Sequence, residues 1–359
     1  MKSMILHVVS QMHIGGLEKG IKNIVTQLTG FQHVILVLET LDLKWVATLP
    51  NTVMVIVLNR KPGPLFRSYL KIIYWIKTLQ PDLIHTRNLS TLECQLLAKY
   101  CRVRACIHSE HGRDSSDLFG LCKKRQRWRK LFRPFVDRYF TVSEELSRYL
   151  QEKIKIAAKK ITVIPNGVEL PLNYQPLKTG NPLRIGMVMR LVDNKQPLHC
   201  LEALAQLKQL PIQCDIVGSG PEMSKVKQAI IDLSLSAQVN LLDKQYHLQE
   251  FYQHWHLVVL PSQFEGCSNV VLEAMAAGLV VIASDIPGNQ AIIRSGENGL
   301  LYPFGKVDAL KQCLISCLLS EGTRTLLGNA AYKTIEKNFT LSVMLKTYER
   351  CYKELLCAV

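Results

Sequence analysis

Acidic side chains are scarce in this chain of 359 residues: 29 Asp and Glu stand against 44 Lys and Arg, a formal net charge of +15. Such a balance favours phosphate-bearing partners, whether nucleotides, nucleic acid or an anionic membrane. No C-x-x-C pair occurs among the eleven scattered cysteines, so neither a zinc site nor a disulfide framework is indicated. Cys313 and Cys317 share a helical face and read as core packing, and a reducing cytoplasm fits best. H-E-x-x-H and D-x-D are both absent, so no metal is expected, and no carboxylate pair stands ready for a magnesium or manganese ion. No apolar run approaches the roughly 20 residues of a membrane span. The apolar start, Met4 to Val9, is shorter than a signal-peptide core and reads as a first buried strand. The chain is expected to be soluble, or at most peripheral on the cytoplasmic face of an inner membrane.

What is present is alternation. Apolar strand candidates recur between helical stretches: "MILHVV", "HVILVL", "TVMVIVL", "DLIH", "ACIH", "YFTV" and "ITVI" in the first half. The segment "PNGVELPLNYQPLKTGNP", residues 165–182, has no sustained periodicity and reads as a linker. The alternation then restarts with "LRIGMVM", "IQCDIVG", "HLVVLPS" and "LVVIAS". Strand–helix repetition of this kind gives a parallel sheet covered on both faces, so two doubly wound α/β domains are expected. The boundaries are placed at residues 1–175, 176–338 and 339–359, the last being a helix expected to return to the first domain. At 359 residues the chain suits two domains.

Ligands of open α/β sheets bind beyond the carboxyl ends of the strands. Strand 4–9 leads to Gly15 and Gly16 before a helix, which is either a plain turn or a place where backbone approaches an anion. The ends of two further strands carry His85 and Arg87, and His108, Glu110, His111, Arg113 and Asp114, the latter group expected to crowd one loop. In the second half three strand ends supply Arg190 and Lys195, then Gly218 and Gly220, then Glu265 and Glu273 of "EGCSNVVLE". Ser268 or Asn269 can cap the helix that starts there. Glu273 lies among apolar neighbours, where a carboxylate needs donors. The open alternatives are a structural lysine, backbone N–H groups, or the vicinal hydroxyls of a ribose. Between Lys123 and Arg133, "KKRQRWRKLFR" holds seven basic residues of eleven, with Trp128 and Phe132 interleaved. It reads either as a solvated helix face or as a basic amphipathic surface for anionic lipid or an anionic acceptor.

Taken together, the "GG" loop, "HG" at 111–112, "VIPNGV", "RLVDNK", "IVGSGP", "EGCSNVVLEAMAAG", "VIASDIPGN" and "GENGLLY" carry a resemblance along the whole chain. The sequence resembles the retaining GT-B-fold glycosyltransferases of family 4, which use nucleotide sugars. The resemblance implies two Rossmann-like domains facing across a cleft. It also implies transfer of a sugar from a nucleotide-diphosphate donor, most often a UDP-sugar, to a hydroxyl of a glycan or lipid-linked acceptor, in bacterial surface polysaccharide or lipopolysaccharide synthesis. No cofactor is implied beyond that donor.

By the same resemblance Arg190 and Lys195 would bind the diphosphate, and Glu273 the ribose hydroxyls. Glu265 would contact the sugar, and Gly266, Cys267, Ser268, Asn269 and Val270 would offer backbone N–H groups. Gly15, Gly16 and Gly218 complete the donor set, and His111 would border the reacting carbon. His85, Arg87, Glu110 and Arg113 are candidates for the acceptor side, and residues 123–133 for contact with the inner membrane. Three departures stand out: Met189 and Gln196 where glycine is common, and Gln290 where glutamate is frequent. A nucleotide-sugar epimerase of the same architecture is the alternative. A nucleic-acid-binding protein is more remote, since no helix-turn-helix, zinc-finger or RNP motif occurs.

Overall fold

The computed structural model describes residues 2–13, 15–61, 63–113, 117–171, 182–245 and 247–357. The chain forms two compact units: residues Met1–Asn166 with Leu341–Val359, and residues Gly167–Thr340. The expected boundary at 175/176 and most of the expected linker lie outside the described residues, as does Asp114.

In chain order the first unit contains β1 (Met4–Val9), α1 (Gly16–Gln27), β2 (Gln32–Val37), α2 (Leu43–Val46), β3 (Met54–Val57), α3 (Tyr69–Leu79), β4 (Leu83–Arg87), α4 (Cys94–Tyr100), β5 (Ala105–Glu110), α5 (Lys123–Phe132), β6 (Arg138–Thr141), α6 (Glu144–Tyr149) and β7 (Ile161–Val163). Its strands make a parallel sheet in the order β3-β2-β1-β4-β5-β6-β7. β1 is buried on both faces after its first residue, as a central parallel strand covered by helices must be.

The second unit contains β8 (Leu183–Val188), α7 (Pro197–Ala205), β9 (Ile212–Val217), α8 (Met223–Asp232), β10 (Val239–Leu242), α9 (Gln249–Tyr252), β11 (Leu257–Leu260), α10 (Asn269–Ala276), β12 (Val280–Ser284), α11 (Pro287–Gln290), β13 (Leu300–Tyr302), α12 (Val307–Leu318) and α13 (Glu321–Asn338). Its sheet order is β10-β9-β8-β11-β12-β13, again parallel. Val168 donates its N–H to the Phe339 carbonyl at 3.0 Å, which joins the first and last segments of this unit.

The chain then ends in α14 (Leu341–Cys357), which belongs to the first unit. Its buried residues are Leu341, Met344, Leu345, Tyr348, Cys351, Tyr352 and Leu356, spaced by three and four as one helical stripe. That stripe packs with Ile5, Ile24, Leu28, Phe31, Leu83, Ile107 and Phe140. No helix among the described residues is long and apolar enough to cross a membrane.

In each sheet the chain reverses its direction of winding between two neighbouring strands, β1 with β4 and β8 with β11. The carboxyl ends at such a reversal open a crevice, and this fixes where a site can form.

Candidate functional site

In the second unit, β8 and β11 deliver their following loops side by side. After β8 the chain passes the exposed Arg190 and makes a 3-10 turn over Asp193–Lys195. Gln196 then adopts φ 48° and ψ 51°, a left-handed conformation, before Pro197 opens α7. This is the position where glycine is common, and the dihedral supplies the reason. The N–H of Gln263 donates to the Asn194 carbonyl at 2.8 Å, tying the two loops together. Across that tie the Lys195 Nζ lies 2.5 Å from the Glu265 Oε1, both side chains mostly buried. The two expected site residues from different strand ends thus form one ion pair.

Glu265 is supported from below. A Cβ on Gly288 would collide with the Glu265 carbonyl, so only glycine lets α11 approach this loop. Ser284 donates its hydroxyl to the Ser262 carbonyl, and the buried Asn289 donates to the Ser284 carbonyl at 2.9 Å. This Ser262–Ser284–Asn289 brace holds the start of the loop. Gly218 and Gly220 have an equally plain structural task. A Cβ on either would run into the Met189 or Leu191 carbonyl, and Gly218 has φ +150° besides. The glycines therefore let the β9 loop pack on the β8 loop that carries Arg190.

Ser268 caps α10, its Oγ accepting the Val271 N–H at 3.4 Å. Gly266 is buried and Cys267, Asn269 and Val270 are partly buried around the helix start. The positive end of α10, with the backbone N–H groups of its first turn, adjoins the Glu265 loop, a setting that favours an anion. One turn further on, Glu273 is partly buried and accepts from the Tyr252 hydroxyl at 3.1 Å. Burial, reinforced by the Glu273 carboxylate, holds the Tyr252 phenol well above its ordinary value, so it remains a donor. The carboxylate in the apolar helix thus has a tyrosine hydroxyl as one partner, in addition to the alternatives the sequence left open. Gln290 reaches Asp285 Oδ1 at 2.8 Å on the exposed side of α11.

In the first unit, the corresponding sheet end is more closed than the sequence suggests. β5 runs on to Glu110, so His108 and Glu110 are buried strand residues and do not crowd a loop. Glu110 binds the Arg129 guanidinium through two contacts, 2.7 and 3.1 Å. Burial alone would raise this carboxyl, but Arg129, with His108 adding to it, outweighs that and holds the value at about 2. Arg129 is itself buried, which corrects the expectation that the whole run 123–133 lies on a surface. Phe132 also turns inward, while Lys123, Lys124, Arg127 and Lys130 are exposed.

His85 is fully buried, its ring nitrogens 2.8 Å from the Tyr352 hydroxyl and 2.6 Å from the Ser109 hydroxyl. Arg87, 2% exposed, contacts His7 Nδ1 at 3.2 Å, His85 Nδ1 at 3.3 Å and the His85 carbonyl at 3.4 Å. Burial and the Arg87 charge keep His85 well below the usual histidine value, so neutral acceptors surround the cation. Arg113 pairs with Glu145, donates to the Leu118 carbonyl at 3.1 Å and stacks 4.7 Å from the Tyr149 ring centre. His85, Arg87, Glu110 and Arg113 are thereby committed to partners within the unit.

His111 is different. Its N–H donates to Asn88 Oδ1 at 2.9 Å, and Asn88 itself sits at φ 58° with its N–H on the Ser109 carbonyl at 2.8 Å. Burial, with the Arg87 charge adding to it, brings the His111 imidazole down to about 3. Its Nε2 is buried and has no hydrogen-bond partner among the described residues, leaving a neutral, unsatisfied ring nitrogen at this strand end. At the β1 end, Gly15 precedes α1, and the Glu18 carboxylate folds back over the place a Cβ of Gly15 would occupy. Burial raises this carboxyl to about 7, against the pull of its own main-chain N–H and of Arg87.

Comparison with known proteins agrees with this geometry. Residues 14–171 match the family model described as Glycosyltransferase Family 4, and residues 173–334 match Glycosyl transferases group 1. An exopolysaccharide phosphotransferase of Streptomyces coelicolor is 33% identical over 62% of this chain, which spans only 24% of that protein. A UDP-Gal:α-D-GlcNAc-diphosphoundecaprenol α-1,3-galactosyltransferase of Escherichia coli is 26% identical over 69% of each chain. The crystal structure of Anabaena HepE in complex with UDP and glucose superposes with a TM-score of 0.85 at 19% identity, covering 97% of this chain and 99% of the other. The two parallel α/β units therefore build a GT-B fold, and the chain belongs to the glycosyltransferases of group 1, family 4 type.

Proposed function

We propose that this protein transfers a sugar from a nucleotide-diphosphate sugar to a hydroxyl of a lipid-linked or glycan acceptor in cell-surface glycan assembly, with retention at the anomeric carbon. The observation that carries the reading is the Lys195–Glu265 pair at the β8/β11 reversal, beside the capped start of α10. A diphosphate leaving group gains negative charge as its bond to the sugar breaks. Lys195, the exposed Arg190 and the N–H groups that open α10 can meet that charge. Lys195 is already desolvated against Glu265, so a phosphate would share a cation that is held in place.

Glu265 then has a free oxygen for sugar hydroxyls, and Glu273, steadied by Tyr252, is suited to the two hydroxyls of a ribose. At the start of α1 in the first unit, a ligand phosphate near Gly15 and Gly16 would have to displace the Glu18 carboxylate that lies over Gly15. In the same unit the neutral His111 keeps a buried, unpartnered ring nitrogen that can accept from a hydroxyl. With these cations in place the diphosphate needs no metal ion, in keeping with a sequence without D-x-D. A UDP-sugar is the donor we favour, because the E. coli relative and the HepE complex are described with UDP. The acceptor is set at the cytoplasmic surface of a membrane, where the outward cations of α5 (Lys123, Lys124, Arg127, Lys130) can meet anionic head groups.

The test is a panel of uridine, guanosine and adenosine diphosphate sugars. A true donor at 100 times its Kd should stabilise the protein by about 2.7 kcal/mol. Transfer to a polyprenyl-diphosphate-linked sugar, with the product anomer read by NMR and the assay repeated in EDTA, then addresses stereochemistry and metal dependence. The reading fails if no nucleotide sugar stabilises the protein and none is consumed. An inverted anomer, or loss of activity in EDTA, removes the retaining or the metal-independent part.

A further inference from the structure

Between Asp42 and Asp82 the chain contains no Asp or Glu at all. This stretch includes α3 and the 3-10 turn Leu65–Ser68 that leads into it. Ile72 and Ile76 face the core with Leu65. The opposite face is not covered by any described residue: Phe66 is 60% exposed, Leu70 83% and Tyr74 60%. These three lie four residues apart, so they form one row along the helix. Arg67, Lys71 and Lys77 are exposed among them, and Lys61 just before them. The half-buried Trp75 stacks edge-on against Tyr74 with ring centres 5.4 Å apart, and Lys77 lies 5.7 Å from the ring centre of the exposed Tyr100 on α4. A nearby carboxylate on this side, Glu93, accepts from the Tyr69 hydroxyl at 2.5 Å.

We propose that this face of α3 is an interfacial membrane contact, in which Phe66, Leu70 and Tyr74 enter the head-group region of an anionic bilayer while Arg67, Lys71 and Lys77 meet its phosphates. Large apolar groups set between cations, with no carboxylate among them, match the chemistry of that surface. The long Arg and Lys side chains can lie along the bilayer and keep their charge at the phosphates. A second copy of this chain is a poor occupant, because a two-fold contact through this face would set cations against cations. The neighbouring helices strengthen the assignment. α3 packs on α4, and α4 packs on the Arg133–Phe135 turn that ends α5, so α3 and α5 belong to one helix layer of the unit. α5 exposes Trp128 and Leu131 among its own cations. Two separate contacts in one layer bind a surface more firmly than either alone and fix the orientation of the unit.

The inference deepens the glycosyltransfer reading only by giving a lipid-borne acceptor a surface to be met on, and the test keeps the two apart. Co-sedimentation of the full chain with vesicles of phosphatidylcholine and phosphatidylglycerol, without any nucleotide sugar, reads membrane binding alone. The triple variant Phe66→Ser, Leu70→Ser, Tyr74→Ser should bind about tenfold or more weakly, with its thermal unfolding unchanged because all three side chains are exposed. The variant Arg67→Gln, Lys71→Gln, Lys77→Gln should lose the preference for phosphatidylglycerol over pure phosphatidylcholine. Wild-type protein that ignores anionic vesicles at low salt overturns the proposal and leaves the face to a protein partner. So does a result in which only neutralising the α5 cations weakens binding. Transfer to a water-soluble acceptor should be untouched in both α3 variants; a failure of glycosyl transfer itself would leave the vesicle result standing.

Discussion

Lys195 and Glu265 stand 70 residues apart in sequence and 2.5 Å apart in space, joined by the loops that follow β8 and β11. Each holds the other in a fixed position, and each is mostly withdrawn from water. Removing either leaves its partner as an unpaired, partly buried charge. Lys195→Ala should cost about a hundredfold or more in kcat/KM for the donor, the scale of losing one preorganised group at a developing charge. Glu265→Gln keeps the shape and one acceptor oxygen, and should cost about as much through lost contacts to the sugar. Full activity in either variant sinks the assignment, and circular dichroism checks that the fold is retained.

Glu273 and Tyr252 make a second prediction. The tyrosine hydroxyl donates to a carboxylate in an otherwise apolar helix, so Tyr252→Phe removes a hydrogen bond to a charged group. Such a bond contributes about 1.5–3 kcal/mol. The variant should lower stability by about that amount and raise the donor KM with little change in kcat, because the nucleoside is bound alike in ground and transition states. A nucleoside diphosphate without sugar should lose affinity in the same ratio, measured by calorimetry. Unchanged affinity would detach Glu273 from the nucleoside.

Gly218 tests whether the turn after β9 serves packing. An alanine there would place its Cβ inside the Met189 carbonyl while holding φ at +150°, a region open essentially to glycine. Gly218→Ala should therefore destabilise the second unit by about 3 kcal/mol or more and displace the loop carrying Arg190. A control at Gly305, which also has positive φ but open space around its Cβ position, should cost less. Equal costs at the two positions would mean that backbone conformation, and not the packing of the two loops, decides the effect.

Periodicity shows clearly in the strands that are buried on both faces. The runs at Met4–Val9, Leu183–Val188 and Val280–Ser284 are nearly all apolar and appear as central strands. β10 and β13, edge strands of four and three residues, escape such a reading, although the equally short edge strands β3 and β7 do not. β5 exceeds its apolar run because His108, Ser109 and Glu110 are polar residues buried against Thr86, His85 and Arg129, and hydrophobicity does not reveal that. The second unit's candidate residues were legible from residue types at strand ends, and the structure brings Lys195 and Glu265 together. The support of Glu273 was not: Tyr252 lies on a four-residue helix 21 positions from it. In the first unit the partner of His111 was equally hidden, since Asn88 is one left-handed residue before a turn. Their roles come from geometry that only tertiary structure creates. The basic run 123–133 misleads in the opposite sense, since Arg129 looks like its neighbours until Glu110 is found against it.

The Glu110–Arg129 pair gives the pH prediction. The folded carboxyl titrates at about 2, below its ordinary value near 4.5, so the pair's contribution is fully present above the ordinary value. It is lost as pH falls from about 5 toward 2, where the unfolded chain takes up the proton first. A displacement of this size corresponds to roughly 3 kcal/mol at neutral pH. Glu110→Gln should remove that contribution and strand the Arg129 guanidinium among buried groups, costing about 3–5 kcal/mol at pH 7. The same variant should show a flatter stability profile between pH 5 and pH 2, where the wild type declines. Urea unfolding at several pH values measures both. An unchanged slope in the acid range would mean that the carboxylate of Glu110 is not what secures α5 to the sheet.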